Sequence, residues 1–278
     1  MPTLGTHGDV YVFPHYAFER TMTAIAIAYA EEGFVLAADG RIRLGDESRP
    51  NASALALTME TDDQQKIFPI TFPHQSLAYA VTGTICDSLG FDLPQTVKMQ
   101  VEAISKREFD DFRSCLNALG ENINTAINEA KRSGTLEFPH TKKKERSQAW
   151  IITTLYFCGY FNEFPCFSRV DFFHVERDAQ FEINEQSLRG PLVSGSEIVA
   201  DQMYRDPRDP RFSAFVLERG QSPSLETATQ FARGYIEACI SPLGLEVDAL
   251  ICKGIGGHLH MATITKSGFT WVIEPVPQ

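Results

Sequence analysis

What the chain lacks narrows its class before any motif is read. No stretch approaches the roughly 18 consecutive apolar residues of a membrane-spanning helix, so a soluble protein is expected. Positive charge is scarce: 25 Lys and Arg stand against 36 Asp and Glu, a formal net charge of −11 at pH 7. Such a surface repels a phosphate backbone and argues against a nucleic-acid partner. The one basic run, Lys142-Lys143-Lys144 with Arg146, lies between a turn-like GTLEFPH stretch and an apolar segment, which suits a solvated loop. The opening MPTLGTHGDVYVFPHYAFER has no basic start followed by an apolar run, so no secretion signal is expected and a cytoplasmic location follows. The six cysteines form no CxxC pair, and a chain this long needs no covalent staples, so they are expected as reduced core residues. There is no GxSxG elbow and no Cys-His motif for an internal serine or cysteine nucleophile.

What is there is a chain of 278 residues, 43% hydrophobic and 22% charged, within the size of one large two-sheet domain. From Thr23 the sequence reads TAIAIAYA, then Glu31-Glu32-Gly33, then FVLAADGR, which is a β-hairpin pattern. Its runs are apolar at nearly every position, as in central strands covered on both faces. Arg41 to Gln65 is polar and irregular and reads as a long loop before a second hairpin, KIFPI and SLAYAVTG.

From Pro94 to Arg132 apolar residues recur at threes and fours, which predicts two consecutive helices. AWIITTLYFCGY, CFSRVDFFHVER and AQFEINEQ then read as strands. Ser194 to Tyr204 and Ser224 to Ile240 read as helices, the second opened by Ser222-Pro223-Ser224 with Glu226 in its first turn. HLHMATIT and FTWVIE form a last hairpin turning at Lys266-Ser267-Gly268. This order predicts an α+β fold, an antiparallel two-sheet sandwich with helices outside, and excludes a parallel βαβ sheet.

Several residues have chemistry of their own. His258 and His260, two apart on a strand, face one side as metal ligands do, but no third ligand stands at useful spacing. Asp201, Asp206 and Asp209, around YRDPRDPRFS, lack the glycine and terminal glutamate of a calcium loop and read as a proline-broken turn. No metal or other cofactor is expected.

Read in order, T-A-I-A-I-A-Y-A-E-E-G-F-V-L-A-A-D-G-R, Q-K-I-F-P-I, A-V-T-G-T-I-C-D, VSGSEIVADQM and KGIGGHLHMATITKSGFTW resemble the subunits of proteasome-like N-terminal nucleophile hydrolases over nearly the whole chain. The resemblance implies a four-layer αββα sandwich. It also implies an amino-terminal extension or propeptide over residues 1–22, followed by a single domain over 23–278. Counting back from Asp39 without gaps places Thr23 at the nucleophile position; Thr21 is the alternative for a different turn length. An alignment to noncatalytic α-type subunits, with one more residue in the turn, puts Met22 there instead and leaves no nucleophile.

By the same resemblance, Lys66 stabilises developing negative charge, Asp39 orients Lys66, the Gly83 amide serves as oxyanion donor, and Ser194 sits near the threonine amine. Two positions depart from the catalytic pattern. Met22, not glycine, precedes Thr23, and Cys252 and Ile255 stand where aspartate and serine are usual.

Each residue also has a plain structural reading. Thr23 is a β-branched strand residue, Asp39 with Arg41 or Lys66 a structural ion pair, Gly83 a turn glycine, and Ser194 or Ser196 a helix cap. The expectation is a threonine-type peptidase or amidohydrolase acting on peptide or protein after self-processing. The alternative is a noncatalytic assembly subunit that keeps its amino-terminal segment. Either would associate with copies of itself in a ring-like homo-oligomer; whether an ATPase partners it has no sequence signature.

Overall fold

A computed structural model of the 278-residue chain describes residues 23–44, 59–72, 75–83, 89–136, 150–175, 178–204, 209–216 and 224–277. The amino-terminal extension with Thr21 and Met22, the basic run at Lys142, Cys86, Asp206 and Ser222 lie outside the described residues.

The first hairpin joins β1 (Ile25–Ala30) to β2 (Gly33–Ala38), with Ile25 opposite Ala38 and Ala30 opposite Gly33. These strands lie inside an antiparallel sheet of order β10 (Leu192–Ser194), β1, β2, β11 (His260–Thr265), β12 (Gly268–Ile273). The second sheet is a meander of β5 (Ile67–Phe72), β6 (Gln75–Gly83), β7 (Trp150–Phe161), β8 (Phe164–Val175) and β9 (Asp178–Glu185) in sequence order. The stretch expected as an unbroken loop carries a small ladder between β3 (Ile42–Leu44) and β4 (Met59–Thr61). Strands of three residues are too short to show a period.

Three apolar clusters divide the molecule into four layers. Ile25, Ile27, Phe34 and Leu36 face Ala78, Tyr156 and Phe167 between the two sheets. The opposite faces of β1 and β2, with Ala24, Ala26, Ala28, Val35 and Ala37, pack against α4 (Leu225–Ile240) through Ala228, Ala232, Tyr235 and Ile236. Alternation along a strand sorts these residues, large to the partner sheet and small to the helix, so α4 lies close on the alanine stripe. The shorter α3 (Glu197–Tyr204), α5 (Pro242–Val247) and α6 (Ala249–Cys252) share that side.

On the outer face of the second sheet lie α1 (Leu93–Ile104) and α2 (Phe112–Ser133), the two helices expected from the apolar spacing. Asp92 and Asp111 cap their first turns by accepting from Gln95 N–H and Ser114 N–H, and Gly134, at φ 76°, ends α2 in the left-handed conformation. The fold is thus α+β, two antiparallel sheets face to face with helices outside both. Among the described residues, no helix is long and apolar enough to cross a membrane.

Candidate active site

Both ends of the first hairpin deliver a polar group to one place. Thr23 precedes β1 and Asp39 follows β2; Asp39 N–H donates to the Ala24 carbonyl at 3.2 Å, which continues the ladder beyond the last strand pair. Lys66 enters from the second sheet, one residue before β5. Its Nζ lies 3.2 Å from Thr23 Oγ1, 2.9 Å from Asp39 Oδ1 and 2.6 Å from the Arg41 carbonyl oxygen. An ammonium has three hydrogens to give, and three acceptors stand here. Asp39 and Lys66 are fully buried and Thr23 is 5% exposed.

Asp39 is surrounded by donors. Oδ1 accepts from Ala24 N–H at 2.9 Å as well as from Lys66, and Oδ2 accepts from Arg41 N–H at 3.2 Å and Gly256 N–H at 3.1 Å. A protonated carboxyl would set its own hydrogen against one of these donors, so the ring of partners suits the carboxylate. Burial pushes Asp39 upward from the ordinary carboxylate range, and the Lys66 charge and these hydrogen bonds oppose it. Burial likewise pushes Lys66 below the ordinary lysine range, against the pull of Asp39. Lys66 therefore holds its proton less firmly than a surface lysine does, 3.2 Å from a hydroxyl.

Gly83 lies at the same end of the sandwich. Ile67 faces Ala80, and Val81 N–H donates to the Lys66 carbonyl at 3.0 Å, so β6 runs on past Lys66 to Gly83. Gly83 has φ 98°, and a Cβ there would sit 2.8 Å from both the Ile152 carbonyl oxygen and Thr153 Cα. Only glycine fits that backbone and that gap.

Ser194 is the last residue of β10, paired with Ile25, and not the start of a helix. The helix begins after Ser196, whose hydroxyl accepts from Val199 N–H at 3.0 Å while donating to Asp248 at 2.6 Å. Ser194 instead accepts at its carbonyl from the Tyr235 hydroxyl at 3.2 Å. The structure thus brings Thr23, Asp39 and Lys66 into direct contact. Among the described residues, no hydrogen bond joins Gly83 or Ser194 to these three.

No family model matches the chain, and no curated protein matches it. Solved structures do match. Among them is the Anbu (Gly-1) mutant from Hyphomicrobium sp. strain MC1, with a TM-score of 0.50 and 13% sequence identity over 90% of this chain and 84% of that one. The likeness supports a proteasome-like fold. At that identity it bears on the fold alone.

Other groups that hold the site together lie far away in sequence. Arg41 pairs with Asp62, not Asp39, at 2.7 Å, while its amide and carbonyl serve Asp39 and Lys66. Gly256, of the glycine pair before β11, donates to Asp39, and its carbonyl accepts from Gly40 and Arg41 N–H at 3.1 and 2.9 Å. His260 is 1% exposed, and its Nε2 accepts from Lys66 N–H at 2.9 Å. That places the ring proton on Nδ1, toward the His258 backbone. Burial lowers His260 to about 4, which keeps Nε2 an acceptor. His258 Nε2 lies 2.7 Å from the Glu274 carbonyl oxygen, so both histidines engage backbone. Among the described residues, no group of three or more His, Cys, Asp or Glu is arranged to hold a metal ion.

Proposed function

We propose that the chain is a threonine-type amidohydrolase or peptidase of the proteasome-like fold, with Thr23 as nucleophile and peptide or protein as substrate. The observation that carries this reading is the contact of Thr23 Oγ1, at 3.2 Å, with a buried Lys66 that is itself paired with Asp39. An ammonium at that distance stabilises an alkoxide forming on Oγ1, inside a site where charge interacts more strongly than in water.

In maturation, Thr23 Oγ1 attacks the Met22 carbonyl. The bond to the Thr23 nitrogen breaks, and an ester joins Met22 to the Thr23 oxygen. Water then cleaves the ester, releasing residues 1–22 with a free carboxylate and leaving a free Thr23 amine. In turnover that amine acts as base while the hydroxyl attacks a substrate carbonyl, and water hydrolyses the acyl-threonine. Asp39 holds Lys66 in place, and Gly83 serves as oxyanion donor once substrate is bound. The ordered motif series also supports a homo-oligomeric, ring-like working form.

A second reading is favoured by specific positions. Met22 precedes Thr23, and Cys252 and Ile255, 4% and 2% exposed, replace the polar pair usual near the threonine amine. A noncatalytic assembly subunit would keep the Asp39–Lys66 pair for its structure alone. Intact mass and amino-terminal sequencing of the purified wild type and of Thr23→Ala separate the two. The catalytic reading expects wild type to begin at Thr23 and the variant to stay full length; two full-length proteins would leave the assembly reading standing.

A further inference from the structure

The proposed oxyanion donor is one end of a peptide group whose other end is held. The Gly83 N–H belongs to the same peptide as the Thr82 carbonyl, and a trans peptide points those two groups in opposite directions. The Thr82 carbonyl accepts from the Thr153 hydroxyl at 3.0 Å, away from solvent: Thr153 is fully buried and Thr82 is 3% exposed. Thr153 lies on β7, so the carbonyl points across to that strand and the Gly83 N–H points away from it, to the β5 side of β6.

On that side the ladder stops short. The β5–β6 pairing begins with Ile67 opposite Ala80, and the Val81 N–H bond to the Lys66 carbonyl carries it one residue further. The same register would bring Gln64 opposite Gly83, but Gln64 N–H donates to the Gly40 carbonyl at 2.8 Å, toward the first sheet. The Gly83 N–H therefore meets no continuing strand and opens on the side where Lys66 stands, whose Nζ is 3.2 Å from Thr23 Oγ1.

On the other side β7 carries a bulge. Ile151 pairs with Phe173 and Thr153 with Phe172, so Ile152 is an extra residue in the strand. Such an insertion re-aims the side chains beside it. Gly83 rests directly on this bulge, since a Cβ there would lie 2.8 Å from both the Ile152 carbonyl oxygen and Thr153 Cα. The close approach that demands glycine at 83 also brings the Thr153 hydroxyl within reach of the preceding carbonyl.

We propose that Thr153 is a positioning residue for the oxyanion donor, its hydroxyl fixing the Thr82–Gly83 peptide so that the Gly83 N–H is aimed before the reaction begins. This role rests on the reading of Thr23 as nucleophile. In turnover, as Thr23 Oγ1 adds to a substrate carbonyl, its proton goes to the Thr23 amine and the carbonyl's second electron pair moves onto the carbonyl oxygen. That oxygen is the anion the Gly83 N–H meets; in maturation the same charge develops on the Met22 carbonyl oxygen. A donor stabilises such a charge best when no reorientation is needed as it forms. Because the peptide is rigid about its C–N bond, a hydrogen bond at the carbonyl end restrains the N–H end. Thr153 itself touches no reacting atom.

The test follows release of residues 1–22 by intact mass after cell-free synthesis of the full chain, in wild type, Thr153→Val, Thr153→Ser and Thr154→Val. Thr153→Val keeps the shape and loses the hydroxyl, and should release the segment more slowly by about tenfold, less than loss of the donor itself would cost. Thr153→Ser restores the hydroxyl and should restore the rate. Thr154→Val takes a buried hydroxyl from the next residue, one that serves Asp171 instead, and should release at the wild-type rate. Wild-type release in Thr153→Val, or equal slowing in Thr153→Val and Thr154→Val, overturns the proposal and leaves the threonine reading standing. A wild type that stays full length overturns both. Where a variant fails to fold, the wild type decides. In a crystal structure of the processed protein with a peptide boronate on Thr23, a boronate oxygen should accept from Gly83 N–H while Thr153 stays bonded to the Thr82 carbonyl. An adduct whose oxygens are held by other donors alone overturns the proposal.

Discussion

Among the described residues, two ion pairs lie away from solvent, and they are built differently. Arg169 and Asp171 lie two apart on β8, on one face of the strand, 2.9 Å from each other, with side chains 17% and 11% exposed. Their remaining partner is the Thr154 hydroxyl, 2.6 Å from Asp171. Lys66 and Asp39 come from different sheets, are fully buried, and engage three backbone N–H groups, a carbonyl and a threonine hydroxyl. Burial opposes the Arg169 charge, but Tyr156, Asp171 and Glu182 prevail and its pKa stays raised; burial prevails over Asp39 at Lys66. One pair fixes a cation that cannot act as an acid. The other holds a weakened ammonium against a hydroxyl, which is the arrangement a catalytic lysine needs.

The largest expected effect breaks this contrast directly. Lys66→Met leaves the Asp39 carboxylate among backbone donors without its cation and should cost about 3–5 kcal/mol in urea unfolding. On the proposed catalytic reading it should also abolish release of residues 1–22, read by intact mass. Arg169→Met leaves Asp171 bonded to Thr154 near solvent and should cost about 1–2 kcal/mol, with processing intact. Equal losses of stability and processing from the two variants would remove the distinction.

The sequence carried the two hairpins and the two-helix stretch because each rests on local order, whereas the place of Lys66 beside Thr23 and Asp39, 43 and 27 positions away, was implied only by the resemblance. Apolar runs on either side of Glu31-Glu32-Gly33 make only one pairing sensible, and Thr23 and Asp39 then flank the same strand end. The helix start at Ser196 was obscured because Ser194, Gly195 and Ser196 all suit a cap or turn; only the Val199 N–H contact separates them. At α4 the capping box closes through Thr227 on Ser224, one residue beyond the Glu226 that the pattern suggests. His260 was hidden most thoroughly. Its bond to Lys66 spans 194 positions, and two histidines on alternate residues carry the signature of a metal site, not of a backbone clamp.

That clamp predicts an acid limb to stability. The folded His260 titrates near 4, below the ordinary 6.5, so as pH falls the unfolded chain takes up this proton first. The contribution is complete above pH 6.5, declines between 6.5 and about 4, and is flat below. Its size is about 3 kcal/mol at most. His260→Gln, whose amide oxygen accepts from Lys66 N–H without titrating, should flatten that limb in urea unfolding followed from pH 7 to 4. An unchanged slope in the variant would place the acid sensitivity elsewhere, outside the Lys66 clamp.

The smallest effect sharpens the comparison from the exposed side. Arg41 serves the site through its amide and carbonyl, while its guanidinium pairs with Asp62 at 2.7 Å where the side chains are 25% and 51% exposed. Water and salt screen such a pair, so Asp62→Asn should cost under about 1 kcal/mol, and less at high ionic strength. The Asp62 carbonyl, which accepts from His258 N–H at 2.7 Å, is untouched by the change. Processing and the His260 acid limb should therefore match wild type. A loss comparable to that of Lys66→Met would mean that the Arg41 side chain, and not only its backbone, sets the position of the Lys66 ammonium.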